Sequence, residues 1–243
     1  MIAPLINRRL LSFVTSTNDA QTLHQRLLAS PCLANGGYDL AIYLEATSAA
    51  AAFNPEMQRR PAARWLVWVH QDVFLPEGWD SRFLEAIADT EKRLPDLAVV
   101  GLYGMVSSGE GGRRAGHLLD RGVVLHGEEP LPCRAESLDE LLFAVRTDTG
   151  LLLDPVLGFD FYGTDLALTA RQAGYDVAVV DAYCEHWSPT PSQRLPPATY
   201  ERIVASADFF EKKWEHSLPV HTPCCVIREP GDVRRMLNDL MGG

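Results

Sequence analysis

Continuous apolar runs alternate along this chain with stretches whose apolar residues recur every three or four positions. Residues 10–15 read as a buried strand that runs into a polar loop at 16–19. Residues 22–29 pattern as a short helix, 31–37 as turn material and 38–44 as a second strand. The alanine-rich stretch 46–53 predicts a helix that stops near Asn54-Pro55, because proline lacks the N–H that a further turn needs. Trp65-Leu-Val-Trp-Val69 is apolar at every position, as in a strand covered on both faces. Residues 80–94 then repeat at helical spacing, with Phe83, Leu84, Ile87 and Leu94 on one side, and 97–103 return to a strand.

The second half is patterned less evenly. Residues 107–116 are glycine-rich and charged and predict a mobile loop. Ser137-Leu-Asp-Glu140 has the form of a capping box that opens a short helical turn ahead of apolar 141–145. Residues 163–173 predict a helix with Gly174 as its stop, followed by a strand at 177–180. Residues 189–197 form a proline-rich link, 198–214 a late helix, and the segment after Pro219 is weakly patterned. Strands alternating with helices imply an α/β domain around a mainly parallel sheet flanked by helices. The expected division is one domain over 1–218 and a C-terminal tail over 219–243, since no earlier boundary cuts a stretch of ordinary domain size.

With a formal net charge of −10 over 243 residues, no general nucleic-acid-binding surface is expected, because that needs clustered Lys and Arg. An acidic chain can still take a phosphate-bearing ligand where a metal ion inverts the local charge. Five cysteines without a CxxC pair point to reduced thiols, and so to a cytoplasmic location. No apolar run is long enough for a transmembrane anchor, and no N-terminal stretch reads as a signal peptide. The G-x-G-x-x-G, P-loop and G-x-S-x-G patterns are missing, which weighs against dinucleotide oxidoreductases, P-loop ATPases and α/β-hydrolases.

Three segments carry candidate chemistry. His70-Gln71-Asp72 follow the buried run 65–69, and open α/β sheets place ligands at the carboxyl ends of their strands. A carboxylate there is suited to Mg2+ or Mn2+, although a plain polar turn has the same pattern. Asp165 stands where a helix begins, either as a first-turn acid favoured by the helix dipole or as a general base. Its neighbours Phe159, Phe161 and Tyr162 suit a sugar-binding wall or the core. His186, in segment 183–188, follows the strand that leaves this helix, and imidazole is an acceptable Mn2+ ligand. Cys184 beside it has no second cysteine or histidine at structural-zinc spacing.

Together, segments 65–79, 158–166 and 184–188 resemble the family 2-type glycosyltransferases of the GT-A fold, and most of all a bacterial branch with a His-Gln-Asp signature. The resemblance implies a nucleotide-diphosphate sugar as donor, Mn2+ or Mg2+ as cofactor, and an acceptor that is a saccharide, a lipid-linked group or a small molecule. It implies Asp72 and His186 as metal ligands, with His70 in place of the first acid of the usual two-acid signature. Asp165 becomes the catalytic base, with Thr164 replacing the usual preceding acid. Thr15, Ser16, Asn18, Glu45, Ser48, Asn54, His70, Gln71 and Asp72 are implied as nucleotide-sugar ligands, and Asp139, Glu140, Tyr162 and Trp187 as neighbours of the donor or acceptor sugar. The implied reaction is one displacement that inverts the anomeric carbon, with the metal stabilising the departing diphosphate and Asp165 taking the acceptor proton. Two rivals stand beside it. One is a degenerate nucleotide-sugar-binding domain without turnover. The other is a nucleotidyltransferase, whose glycine-rich basic loop is missing from residues 12–19.

Overall fold

A computed structural model describes residues 10–34, 37–108, 111–188 and 195–242. Parts of the loop at 107–116 and of the link at 189–197 therefore lie outside the described residues. The main sheet holds β1 (Leu11–Thr17), β2 (Leu40–Leu44), β3 (Trp65–Val69), β5 (Leu97–Gly101), β9 (Cys133–Arg134), β11 (Leu142–Arg146) and β12 (Asp176–Val179). Their order is β2-β1-β3-β11-β5-β12-β9. Strands β1, β2, β3, β5 and β12 share one direction, while β11 and β9 run against it.

Both faces of the central strands β3, β5 and β11 are buried, as their unbroken apolar runs require. Side chains alternate across a strand, so Trp65, Val67 and Val69 join one apolar cluster and Leu66 and Trp68 the other. The first cluster is closed by Leu23 of α1 (Ala20–Gln25) and by Trp79, Phe83 and Ile87 of α4 (Trp79–Glu91). The one-turn α2 (Pro31–Ala34) adds Leu33 on the same side. The second cluster is closed by α3 (Ala49–Gln58), α5 (Tyr162–Gln172), α6 (Pro197–Lys213) and α7 (Asp232–Gly242), through Phe53, Leu166, Phe210 and Val233.

A second sheet sits beside the carboxyl end of β3. It contains β4 (Val73–Phe74), β6 (Tyr103–Ser108), β7 (Gly111–Asp120), β10 (Ser137–Leu138) and β13 (Glu185–His186), ordered β10-β6-β7-β13-β4, with β8 (Val123–His126) paired to β7.

Several local expectations give way to tertiary contacts. Helix α3 does not stop at Pro55 but runs on to Gln58, because the extra turn buries Met57 against the core. Residues 111–116 are not a loop but the start of β7, paired along β6. Ser137 does not cap a helix: β10 pairs with Gly104 and Met105 of β6, and the Ser137 hydroxyl donates to the carbonyl of His221 at 2.5 Å. The segment after Pro219 forms β14 (Val220–His221), β15 (Val226–Ile227) and α7, with Val220, Ile227, Val233 and Leu237 buried in the second cluster. Buried Glu211 of α6 caps α7 by accepting from the backbone N–H groups of Gly231 at 2.5 Å and Val233 at 3.0 Å. Among the described residues, no helix is long and apolar enough to cross a membrane.

Candidate active site

Strand register builds the centre of the site. His70, Gln71 and Asp72 lie between β3 and β4, at the carboxyl end of β3. In β13, His186 sits opposite Val73 of β4 on one side and Asp120 of β7 on the other. Antiparallel pairing therefore delivers His186 next to Asp72, and the N–H of Trp187 donates to the Asp72 carbonyl at 2.9 Å. His70, Asp72 and His186 each offer a ligand atom, all within 4.8 Å of one another.

The three side chains are strongly coupled electrostatically. Asp72 Oδ1 and His186 Nε2 lie 3.3 Å apart, yet both are buried and neither makes a hydrogen bond. Asp72 Oδ2 accepts from the Ser188 hydroxyl at 2.9 Å. Burial works to raise the Asp72 pKa, but His186, His70 and Ser188 outweigh it and hold the carboxyl well below its usual range. Burial, helped by the His186 charge, pushes His70 down to about 4. Burial also works to lower His186, but Asp72 and Asp120 prevail and the net shift is upward. His186 Nδ1 contacts Asp120 Oδ1 at 2.8 Å. With Nδ1–H donating to Asp120, loss of the Nε2 proton would leave that nitrogen's lone pair for a metal ion beside Asp72, a common arrangement around metal-binding histidines.

The sequence model of the Glycosyltransferase like family matches residues 13–213. The chain belongs to this family. Among solved structures, GalNAc-T7 in complex with UDP, GalNAc and Mn2+ is similar with a TM-score of 0.51 and 12% identity, over 96% of this chain and 54% of that one. TarS of S. aureus in complex with UDP-GlcNAc is similar with a TM-score of 0.46 and 11% identity, over 85% of this chain and 73% of that one. The protein called ATP synthase subunits region ORF 6, from Fuscovulum blasticum, is 28% identical over 145 residues. That match covers 56% of each chain, so this chain spans about half the length of that relative. The fold is that of the GT-A glycosyltransferases.

In this member of the family the implied nucleotide residues divide into two groups. Thr15 and Ser16 end β1, and Asn18 follows it. Gln71 ties that loop to the His70–Asp72 turn: its Oε1 accepts from the Thr17 hydroxyl at 2.5 Å and from the N–H groups of Asn18 and Asp19 at 3.2 Å, while its Nε2 donates to Asn18 Oδ1 at 2.8 Å. Glu45, exposed after β2, donates its N–H to the Thr17 carbonyl at 2.8 Å. These residues lie together at the carboxyl ends of β1, β2 and β3. Ser48 and Asn54 are occupied elsewhere. Ser48 caps α3 through the Ala51 N–H at 3.0 Å, and the Asn54 amide clamps the Leu153 backbone with two hydrogen bonds of 2.9 Å.

Tyr162 links the centre to the implied sugar residues. Its hydroxyl lies 2.7 Å from His70 Nε2 and donates to the Glu140 carbonyl at 3.3 Å. Asp139 Oδ1 accepts from the Leu141 N–H at 3.0 Å. Trp187 is partly exposed, and the Arg26 guanidinium lies 4.2 Å above its ring. Asp165 stands apart from these groups. Its carboxylate is 1% exposed, accepts from Trp214 Nε1 at 2.8 Å and pairs with Lys213 at 2.7 Å, so it faces α6.

Sequence reasoning missed Asp120, Ser188 and Arg26. Asp120 has no local signal, because only the β7–β13 pairing brings it to His186. Asp120→Asn is expected to weaken Mn2+ binding about ten- to a hundred-fold, since the carboxylate fixes the ring and raises its basicity. Calorimetric titration checks this, and an unchanged affinity removes Asp120 from the site.

Proposed function

We propose that this glycosyltransferase moves a sugar from a nucleotide-diphosphate donor to an acceptor hydroxyl, with inversion at the anomeric carbon and with Mn2+ or Mg2+ at His70, Asp72 and His186. The observation that carries this reading is the pair of buried atoms Asp72 Oδ1 and His186 Nε2, 3.3 Å apart with no hydrogen bond to any other group among the described residues, converging with His70. A divalent ion placed between them would satisfy both at once and replace a single buried ion pair. His70, with its pKa near 4, is unprotonated at neutral pH and so fit to ligate.

Bound there, the ion would act as a Lewis acid towards the departing diphosphate. The chain's own residues hold the donor. Gln71 fixes the β1 loop against the metal turn, Glu45 stands at the end of the neighbouring strand, and Arg26 brings a positive charge over Trp187. GalNAc-T7, of the same fold, holds UDP and Mn2+, which makes UDP the first nucleotide to try.

Mn2+ is expected to raise the melting temperature in the presence of UDP, and UDP-sugars are expected to release UDP on turnover. Chelation by EDTA should cut that release by about a hundred-fold or more, with recovery on adding Mn2+. A Mn2+-dependent shift without turnover indicates a binding domain, and release of pyrophosphate indicates a nucleotidyltransferase. Turnover untouched by EDTA removes the metal from the mechanism.

A further inference from the structure

A cavity of about 240 Å³ opens between the N-terminus of α5, helix α6 and the C-terminal segment. Its lining includes Glu140, Phe161, Ile203, Val233, Met236 and Leu237. The nucleotide-side loops follow β1 and β2, which lie on one side of β3, whereas α5 packs against β5, β10 and β12 on the other. Tyr162 bridges the two regions, with its hydroxyl on His70 and on the backbone of Glu140.

Three acids border this cavity, and two of them are committed. Asp160 pairs with Arg202 at 2.9 Å and accepts from Ser206 at 3.4 Å. Asp139 is tied to the Leu141 N–H. Among the described residues Glu140 keeps only backbone partners, the Gly163 N–H at 3.4 Å from Oε1 and the Tyr162 N–H, and it is partly exposed at the cavity lining. Gly163 makes room for this placement: a Cβ there would stand 2.9 Å from the Leu138 carbonyl and 3.0 Å from Glu140 Cγ. Burial, reinforced by the charges of Asp139 and Asp160, pushes the Glu140 carboxyl well above its ordinary pKa. A carboxylate raised in this way is a stronger base near neutral pH.

We propose that this cavity receives the acceptor, that Glu140 takes the proton from its hydroxyl, and that this hydroxyl is carried by a molecule with an apolar portion. The proposal rests on the donor reading above. The acceptor oxygen bonds to the anomeric carbon as the bond from that carbon to the diphosphate oxygen breaks. The diphosphate leaves with the electron pair, and the hydroxyl proton passes to Glu140 and then to solvent. Phe161, Ile203, Val233, Met236 and Leu237 offer an aliphatic or aromatic group a dry wall beside the reacting hydroxyl, and a bare polysaccharide has nothing to bury there.

The test uses the full chain with Mn2+, a panel of UDP-sugars, and octyl β-glucoside against methyl β-glucoside as acceptor probes. Glu140→Gln should lower donor hydrolysis to water and transfer by about a hundred- to ten-thousand-fold, while the Mn2+–UDP melting shift persists. The wild-type rate should rise with pH through the raised Glu140 pKa, and the variant should lose that limb. The octyl glucoside should be preferred at least about ten-fold, a few methylenes of burial. Exposed Cys224, at the cavity lining, tests the walls with little risk to folding: Cys224→Trp should erase that preference and spare UDP binding. Glu140→Gln within two-fold of wild type overturns the base, and equal use of the two glucosides overturns the apolar acceptor. A wild type with no Mn2+–UDP shift instead overturns the donor reading beneath both.

Discussion

Asp72→Asn is expected to lower sugar transfer by about a hundred- to a thousand-fold and to move the melting temperature by only a few degrees. The two carboxylate oxygens have different work. Oδ2 anchors the Ser188 hydroxyl at 2.9 Å, and an asparagine oxygen can still accept there. Oδ1 is buried without a hydrogen bond, 3.3 Å from His186 Nε2, and its charge is what a divalent ion needs. Removing that charge forfeits Lewis-acid stabilisation of several kcal/mol in the transition state, at about 1.4 kcal/mol per factor of ten. His186, His70 and Ser188 hold the Asp72 carboxyl well below its usual range, so mild acid should weaken the metal site through protonation of the ligating histidines rather than of Asp72. UDP release, a Mn2+ titration and a melting curve together check this. The variant should melt like wild type, and Mn2+ should no longer strengthen its UDP binding. Wild-type turnover from Asp72→Asn would sink the metal assignment.

The legible part of this site is the part set by local pattern. Residues 65–69 are apolar at every position because β3 is covered on both faces, and the change to three polar residues marks the carboxyl end of a strand. That placed His70, Gln71 and Asp72 correctly on the fold. His186 was legible as a residue following a strand, but its approach to Asp72 depends on β13 pairing with β4. Asp120 was illegible, since its contact spans 66 residues and a strand register that no local window contains. The same limit explains Ser137 to Glu140. The sequence has the form of a capping box, but pairing with Gly104 and Met105 turns it into an edge strand and leaves Glu140 at the cavity. A pattern can place Asn54 and Asp165 on their helices. It cannot give the direction of their side chains, which here meet Leu153 and Lys213.

Asp165→Ala is expected to cost about 3–5 kcal/mol of stability, the usual price of breaking a buried ion pair from one side. For a chain of this size that lowers Tm by roughly 6–20 °C. The carboxylate joins the first turn of α5 to the last turn of α6, holding Lys213 at 2.7 Å and Trp214 Nε1 at 2.8 Å. Burial raises the Asp165 pKa against the opposing pull of Lys213 and Trp214. Lys213 keeps a second partner, Asp154 at 2.9 Å, and is partly exposed, which favours the lower end of the range. Trp214 is buried and would be left with an unpaired indole N–H. Asp165→Asn should fall between alanine and wild type, because its oxygen still accepts from Trp214 while the charge facing Lys213 is gone. The contrast with Glu140 decides which acid is the base. Glu140→Gln should lose turnover at a nearly wild-type Tm, and Asp165→Asn should lose Tm while its folded fraction still turns over. The reverse pattern, a stable Asp165→Asn that binds UDP and Mn2+ without turnover, would return the base to Asp165 and leave Glu140 with a purely positional part.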